Sequence, residues 1–399
     1  MTKVEKNLLR LLKPYIPLMI FVLATVAGIL LRAVGMEVRS DDFNSFLSGW
    51  WSVIAAQDFS GLSQQVGNYN IPYQVIIFLL SRFIGDALFA YKLVSIIFDF
   101  LLAGAAALLV ATYRRERWFS FAPMMAYAVV LCSLTVVLNS AFWGQCDSMY
   151  VSLILLAVCC TMREKHIPAF ILLGAALAFK LQMVFILPLY LYYYISSKKI
   201  SILHFLLIPA TDIVMCLPAI IVGRPFGDIL QIYIGQTDYG HQIQMNYPNI
   251  YAFMCEGKTV ENYFLLKPLT IVLAMSVLAA GLLFVWKRGV DLNKPEKFMM
   301  TGIWTTFTCL MFLSSMHERS SYLLDVLLIV YFFMTRRHPF VALIAGLISL
   351  RGYCYYLFGY YEALPLGMTS IVNIALYAYV TYIFVRETVL DQPVLKLKT

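Results

Sequence analysis

Long apolar runs separated by short polar segments repeat along most of the 399-residue chain. A helix of about 20 apolar residues crosses a bilayer core about 30 Å thick, and many of these runs approach that length. The pattern predicts an all-α, polytopic transmembrane bundle of about twelve spans that forms a single domain over residues 1–399. The predicted spans are 15–35, 87–112, 118–139, 148–162, 167–179, 183–196, 201–223, 268–286, 298–315, 321–335, 339–358 and 367–385.

Two stretches do not fit simple spanning helices. The short apolar segment 71–85 has no basic loop before the next span, which predicts a helix that lies on or dips into the outer leaflet within the first outer loop, 36–86. The apolar run 167–196 is interrupted by Lys180-Leu181-Gln182, which predicts two short helices with Lys180 partly buried between them. An ionisable residue inside a membrane segment is a functional-site hypothesis by default.

Composition and charge placement support this interpretation and orient it. Hydrophobic residues form 61% of the chain and charged residues 13%, against about 25% charged in a soluble domain. The predicted cytoplasmic segments hold 20 of the 30 lysine and arginine residues, which predicts a cell-membrane protein with both termini in the cytoplasm. The same placement accounts for the net charge of +8 without nucleic-acid binding. The two cysteines in predicted loops, Cys146 and Cys255, could form a disulfide, but no feature of the sequence brings them together.

Six polar clusters fall on the non-cytoplasmic side of this topology. Arginine binds phosphate bidentately, and a carboxylate can act as a general base on a hydroxyl, so acids, cations and amides together suit an anionic, polyhydroxylated ligand such as a sugar on a lipid phosphate. The clusters are Ser40-Asp41-Asp42-Phe43, Asn68-Tyr69-Asn70-Ile71-Pro72-Tyr73, Trp143-Gly144-Gln145-Cys146-Asp147-Ser148, Lys180-Leu181-Gln182, the outer loop 224–267 with Arg224, Gln236 and Asn249, and Met316-His317-Glu318-Arg319.

Each cluster also has a structural explanation when it is taken alone. Asp41 and Asp42 suit solvated loop acids or a helix N-cap. Trp50-Trp51 is more often an interfacial aromatic anchor than a substrate platform. Asp99, inside the second span, is expected to pair within the bundle, and Lys92 is one candidate partner. The combination of clusters, and not any single one, therefore carries the functional hypothesis.

The order of these strings resembles a known family. S-D-D-F, N-Y-N-x-P-Y, W-G-Q-x-D-S, F-K-L-Q, G-R-P, N-x-P-N and M-H-E-R, from about residue 40 to residue 322, look like the bacterial integral-membrane GT-C glycosyltransferases related to the mannosyltransferase that adds the second mannose of GPI anchors. W-G-Q-x-D-S, K-L-Q and M-H-E-R are the specific ones. The chain departs from the family where Ser320 and Ser321 follow M-H-E-R, because relatives usually carry an aromatic residue there.

The resemblance implies transfer of a hexose from a polyprenyl-phosphate sugar to a cell-surface glycan or lipid-linked acceptor, on the outer face and with inversion. It implies Asp42 as the general base, with Asp41 as the fallback, and no required cofactor, although this acid pair could hold a divalent metal. The loop 224–267 is expected to act as a substrate-binding lid. The residues expected at the donor phosphate are Arg319, Lys180, His317 and Arg224, and those expected at the sugar or acceptor are Asn70, Tyr73, Trp143, Gln145, Asp147, Gln182, Gln236, Asn249 and Glu318.

A transporter or flippase of lipid-linked sugars is the main alternative, because it would bind the same ligand chemistry. Transporters usually place their site near the membrane midplane at the interface of internal repeats. The chain has no clear internal repeat, and its polar clusters favour one face. The sequence therefore favours the enzyme.

Overall fold

The computed structural model describes residues 2, 5, 10–237, 241–253, 262–360 and 364–394. Helices dominate these residues, and a single pair of two-residue strands joins two of the loops. The elements are α1 Ile16–Gly35, α2 Ser48–Ala56, α3 Ile71–Ser81, α4 Ala87–Arg114, α5 Phe121–Leu131, α6 Leu134–Val137, α7 Asp147–Met162, α8 His166–Phe179, α9 Leu187–Ser197, α10 Ile202–Phe205, α11 Leu207–Ile221, α12 Gly227–Thr237, β1 Gln244–Met245, α13 Tyr263–Lys287, α14 Pro295–Phe312, β2 Met316–His317, α15 Tyr322–Thr335, α16 Pro339–Phe358 and α17 Leu366–Ile383.

Several of these helices are long and apolar enough to cross a bilayer. The described residues contain six such helices, and a seventh if α5 and the α6 segment, which bend by 47° at their junction, form one span. Five shorter apolar helices accompany them. The predicted all-α, multi-pass membrane bundle is therefore confirmed, and the count of twelve spans stays a prediction. The six are Arg10–Gly35, Ala87–Arg114, Ile202–Ile221, Tyr263–Lys287, Pro339–Phe358 and Leu366–Val389.

The helix break predicted around Lys180 is present. Helix α8 ends at Phe179, and the backbone of Lys180 is extended, with φ −157° and ψ 132°. A 3-10 turn, Leu181–Ile186, follows before α9 begins. Pro188 stands in the first turn of α9, where its missing N–H breaks no helical hydrogen bond. Lys180 is only 9% exposed, so the break brings a cation into the interior.

The buried acid of α4 has a different partner from the one predicted. Asp99 pairs with Arg32 of α1 at 2.8 Å between Nη2 and Oδ2, and both side chains are fully buried. Lys92 lies seven residues before Asp99 on the same helix, about 10 Å away along the axis. Its Nζ donates instead to the carbonyl of Gly35, at 2.7 Å, at the end of α1 where carbonyls carry partial negative charge. Asp99 therefore pairs within the bundle, as predicted, but its partner is Arg32 and not the candidate Lys92.

The first outer loop is anchored by one apolar face of its helices. Phe43, Leu47, Trp51 and Ile54 are buried and join an apolar cluster with residues of α3 and α4. Their spacing of three and four residues places them on one side of a helix. This packing fixes the segment that begins at Asp42.

The strand pair ties an outer loop to the segment after α14. Strands β1 and β2 are parallel, with Gln244 opposite Met316 and Met245 opposite His317. The backbone N–H of Ser315 also donates to the carbonyl of Ile243, at 2.8 Å. Part of the predicted lid is thus fixed to the M-H-E-R segment. Residues 238–240 and 254–261 lie outside the described residues, and with them Cys255, so the structure does not test the disulfide with Cys146 that the sequence left open.

Candidate active site

Several of the predicted clusters meet around one cavity of about 540 Å³. The segments that line it come from the first outer loop, the turn before α7, the break after α8, α12, the β1 loop, α13, the M-H-E-R segment and the end of α16. The fold therefore brings together groups that are far apart in sequence. The polar lining includes Asp42, Asn68, Tyr69, Gln145, Lys180, Gln182, Gln236, Gln242, Asn246, Lys267, His317, Glu318, Arg319 and Tyr356.

Asp42 is held at the cavity by three neutral hydrogen-bond donors. Trp143 Nε1 and Gln145 Nε2 each donate to its Oδ2 at 2.7 Å, and the Tyr356 hydroxyl donates to its Oδ1 at 2.7 Å. A carboxylate has about four acceptor positions, so one position remains for a ligand hydroxyl. The Asp42 side chain is 24% exposed. Asp41, in contrast, is exposed and does not line the cavity.

The chain geometry after α6 explains the W-G-Q-x-D-S string. A π-helical turn, Leu138–Trp143, ends at Gly144, whose φ of 79° is left-handed. Glycine adopts this conformation without a steric penalty, and the turn lets Trp143 and Gln145 both reach Asp42. Asp147 then begins α7. Trp143 and Gln145 of this string therefore both bind the Asp42 carboxylate.

Two carboxylates and two cations alternate along one side of the cavity. Lys180 Nζ donates to Asp147 Oδ1. Arg319 lies between the two acids, with its Nε 3.7 Å from Asp147 Oδ2 and its Nη1 3.6 Å from Asp42 Oδ2. Asn139 Nδ2 donates to Asp147 Oδ2 at 2.8 Å. Buried charges are tolerated when they are paired and hydrogen-bonded in this way.

Arg319 keeps its charge despite its burial. Burial lowers the pKa of a guanidinium, but the carboxylates of Asp147 and Asp42 outweigh it and raise the pKa of Arg319 above its ordinary value. Its guanidinium carbon lies 4.7 Å from the centre of the Trp143 ring, a cation–π distance. The Trp143 ring in turn stacks on Tyr356, at 3.8 Å between ring centres. Arg319 is therefore a fixed cation at the edge of the cavity.

Besides Trp143 and Asp147, four further predicted ligand contacts do not line the cavity. The Asn70 amide donates to a backbone carbonyl of α8 at 3.0 Å, and Arg224, 3% exposed, binds carbonyls of the first outer loop. Asn249 Nδ2 donates to a carbonyl beyond α14 at 3.2 Å. Tyr73 is buried, and its hydroxyl has no hydrogen-bond partner in the part of the chain that the structure describes. The side chains of Asn70, Arg224 and Asn249 therefore connect one segment of the fold to another through hydrogen bonds.

The remaining predicted residues border the cavity. Gln182 and His317 line it, and Gln236 also donates to the carbonyl of Asn68 at 2.8 Å. Glu318 lines it as well but is only 5% exposed. A Cβ added to Gly352 would lie 2.9 Å from the Glu318 Cβ, so α16 packs closely against the M-H-E-R segment.

Sequence reasoning missed three groups of the site. The hydroxyl of Tyr69 donates to Gln145 Oε1 at 3.0 Å, and its place inside the N-Y-N string was an available signal. Tyr356 contacts Asp42 directly, yet it lies in an aromatic run that is typical of a membrane interface. Lys267 lines the cavity from the first turns of α13. Its sequence surroundings do not distinguish it from a flanking loop lysine.

A metal site is not evident in the described ranges. No group of three or more His, Cys, Asp or Glu side chains there is placed to hold an ion. Asp41 is exposed outside the cavity, whereas Asp42 lies inside it.

An all-α, multi-pass bundle with this polar cavity is an arrangement suited to an integral-membrane transferase. The chain belongs to glycosyltransferase family 87, whose family model matches residues 69–315. It is therefore a glycosyltransferase, and the membership supports the GT-C class. The match includes the W-G-Q-x-D-S and K-L-Q strings, but it begins after Asp42 and ends before Arg319. No curated protein matches the chain.

Proposed function

We propose that this protein transfers a hexose from a polyprenyl-phosphate sugar to a hydroxyl of a glycan or lipid-linked acceptor, with inversion, on the non-cytoplasmic face of the cell membrane. The observation that carries the proposal is that one cavity joins a partly exposed carboxylate, Asp42, to two cations, Lys180 and Arg319. A sugar phosphate needs both kinds of group during transfer.

Asp42 is the general base in this proposal. It accepts the proton of the acceptor hydroxyl as that oxygen attacks the anomeric carbon. The bond between the anomeric carbon and the phosphate oxygen breaks, and the polyprenyl phosphate leaves with the bonding electrons. A single displacement of this kind inverts the anomeric configuration. Trp143, Gln145 and Tyr356 hold the carboxylate with neutral donors, so they orient it and leave its charge in place.

Arg319 and Lys180 are the groups proposed for the donor phosphate. Phosphate is already a good leaving group, so the site contributes mainly position and charge stabilisation. Arg319 faces the carboxylates from 3.6 and 3.7 Å, longer than a direct hydrogen bond, so neither carboxylate holds its N–H groups in a direct hydrogen bond and they can bind a phosphate from this position. His317 borders the same space and is a further candidate contact.

Sugar hydroxyls are assigned to predicted contacts that line the cavity; for Gln236 the amide oxygen is the group assigned, because its nitrogen donates to Asn68 and Asn70. Gln182, Gln236 and Glu318 line the cavity and supply amide and carboxylate partners. Asn70, Arg224 and the other predicted contacts outside the cavity are reassigned to support of the surrounding elements. Mannose, glucose, galactose and N-acetylhexosamines are the candidate sugars, and the resemblance to the GPI second-mannose enzymes makes polyprenyl-phosphate mannose the first donor to test. Membership in a glycosyltransferase family supports this enzyme over a flippase.

The test compares two neighbouring acids in the purified protein. The readout is release of polyprenyl phosphate from a panel of polyprenyl-phosphate sugars, with a mixed panel of glycan and lipid-linked acceptors supplied to receive the sugar. We expect Asp42→Asn to lower transfer by about 10²–10⁴-fold, the usual contribution of a general base, with donor binding retained. Asp41→Asn is the matched control, because Asp41 is exposed outside the cavity, and it should keep near wild-type activity. An active Asp42→Asn variant would rule out this base, and consumption of no donor by the wild-type protein would rule out the reaction.

A further inference from the structure

Aromatic rings form the wall of the cavity next to the proposed base. Asp42, Phe46 and Trp50 all line the cavity, and they follow one another at intervals of four residues. Four residues advance a helix by about 6 Å and return to nearly the same face. Phe43 and Trp51 of the same segment do not line the cavity and are buried in the apolar cluster with α3 and α4. Asp42, Phe46 and Trp50 therefore lie on the same side of the segment, toward the cavity.

Trp50 is held firmly in this wall. A Cβ added to Gly67 would lie 2.4 Å from Cδ2 and 2.5 Å from Cε2 of the Trp50 ring, so the Gly67 backbone packs directly against the indole. Tyr69 meets the ring edge-on at 5.5 Å between centres, and Phe46 lies 5.9 Å away in a tilted arrangement. Phe46 itself is 40% exposed. The wall is rigid on its protein side and still presents apolar ring surface.

A sugar ring fits such a wall better than other acceptors. One face of a pyranose carries C–H groups and packs on an aromatic ring, while the hydroxyls at its rim reach polar groups beside it. Here Asp42 and Gln145 lie beside the wall. A simple alcohol, a glycerol headgroup or a protein hydroxyl offers no flat apolar face of that size.

The acceptor, and not the donor, is the ligand placed against these rings. The base must contact the acceptor hydroxyl, and Phe46 and Trp50 share the helix face of the base. The cations assigned to the donor phosphate, Lys180 and Arg319, belong to other segments of the chain. We infer, on the basis of the proposed reaction, that Trp50 and Phe46 form the acceptor platform and that the accepting hydroxyl belongs to a sugar ring.

The first part of the test compares acceptors with and without a ring. Purified protein is given the donor that it consumes, together with octyl glycosides of mannose, glucose, galactose or N-acetylglucosamine. The ringless probes are octylglycerol and 1-octanol, which have the same tail. We expect transfer to at least one octyl glycoside and none to the ringless probes. Transfer to octylglycerol at a comparable rate, or to no glycoside while the donor is consumed, would overturn the inference and leave the proposed donor reaction standing.

The second part examines Trp50 in three variants. Trp50→Leu keeps apolar volume but removes the flat ring, and we expect kcat/KM for the glycoside to fall roughly three- to tenfold, the usual worth of an aromatic stacking contact. Trp50→Phe should restore part of the loss. Phe59→Leu is the matched control, because Phe59 is an exposed ring of the same loop that does not line the cavity.

The Michaelis constants separate the acceptor from the lipid tail of the donor. The acceptor platform predicts a raised KM for the glycoside and an unchanged KM for the polyprenyl-phosphate sugar in Trp50→Leu. A raised donor KM that varies with polyprenyl length, with an unchanged glycoside KM, would assign the rings to the isoprenoid chain and overturn the inference. Unchanged constants for both substrates would overturn it as well.

Discussion

Asp42 and Asp147 belong to the same polar network, but their surroundings differ. Both acids face Arg319, but Asp42 is 24% exposed and hydrogen-bonded by neutral donors, whereas Asp147 is 3% exposed and also pairs with Lys180. Both oxygens of Asp147 are already engaged, one by Lys180 and the other by Asn139. The structure therefore favours Asp147 as the counter-charge that positions the two cations, in place of the direct sugar contact that its motif suggested.

Removal of that counter-charge should destabilise the protein. Asp147→Asn leaves Lys180 buried without its carboxylate, and breaking a buried ion pair from one side costs about 3–5 kcal/mol. Asp147→Asn/Lys180→Met removes both charges and should recover a large part of the loss. Thermal unfolding of the detergent-solubilised proteins measures the difference. Equal midpoints for the single and double variants would contradict this account of Asp147.

Some predicted site residues do line the cavity, and these are the residues whose neighbours in the sequence are unusual for their type. Lys180 stands in an apolar run, and Gln145 and Arg319 occur in compact polar strings between apolar segments, so water exposure alone does not account for them. Asn70, Arg224 and Asn249 looked equivalent in sequence but bind backbone carbonyls. Sequence does not distinguish them because a polar loop side chain can bind a backbone carbonyl elsewhere in the fold as readily as a ligand.

At the scale of elements, the approach of α1 to the turn that carries Trp143 depends on small residues. A Cβ added to Gly35 would lie 2.6 Å from a ring carbon of Phe142 and 2.9 Å from the Ala141 carbonyl oxygen. The nearby buried pair of Arg32 and Asp99 joins α1 to α4. Ser140, from the same turn, also donates to Asp99. The position of the turn, and with it the donors on Asp42, depends on this packing.

Overpacking at this contact should therefore affect catalysis from outside the cavity. Gly35→Ala should cost about 1–3 kcal/mol of stability and lower kcat, because it displaces the turn that presents Trp143. Gly346→Ala in α16 is the control, since an added Cβ there meets nothing within 4 Å and alanine favours a helix over glycine by about 1 kcal/mol. Both are measured by thermal unfolding and by sugar transfer. Wild-type stability and transfer in Gly35→Ala would contradict the proposed contact.

The sequence predicted the helices better than it predicted their irregular turns. Apolar runs specify membrane helices because the bilayer leaves no partner for an unpaired backbone group, and a charged residue in the run marked the break at Lys180. The π-helical turn 138–143 has no comparable signal, because one extra residue in a turn barely alters hydropathy. The Arg32–Asp99 pair was missed because packing between helices distant in sequence decides it.

At the scale of the whole molecule, the placement of the basic loops predicts an orientation for the bundle. The basic segments 114–117, 163–165, 198–199, 287–297 and 336–337 alternate along the chain with the segments that form the cavity. Positively charged loops remain in the cytoplasm, so the proposed orientation directs the cavity outward.

Thiol labelling of intact cells tests this orientation. Ser60→Cys adds a thiol to the first outer loop, and Asn293→Cys adds one to a proposed cytoplasmic loop, both at exposed positions. We expect an impermeant maleimide to label the first and not the second until the cells are opened, with the native protein giving the background from its own cysteines. The reverse pattern would invert the topology and place the cavity in the cytoplasm.

The strand pair between β1 and β2 limits how this protein can be recombined with relatives. A surface loop can normally be exchanged as a module, because few bonds cross its boundaries. Here the backbone of 243–247 is bonded to 315–317, next to Arg319. In a chimera that takes only this loop from a relative, the new strand would face a β2 strand with which it did not evolve. Exchange of substrate preference between relatives therefore requires exchange of the loop and the M-H-E-R segment together.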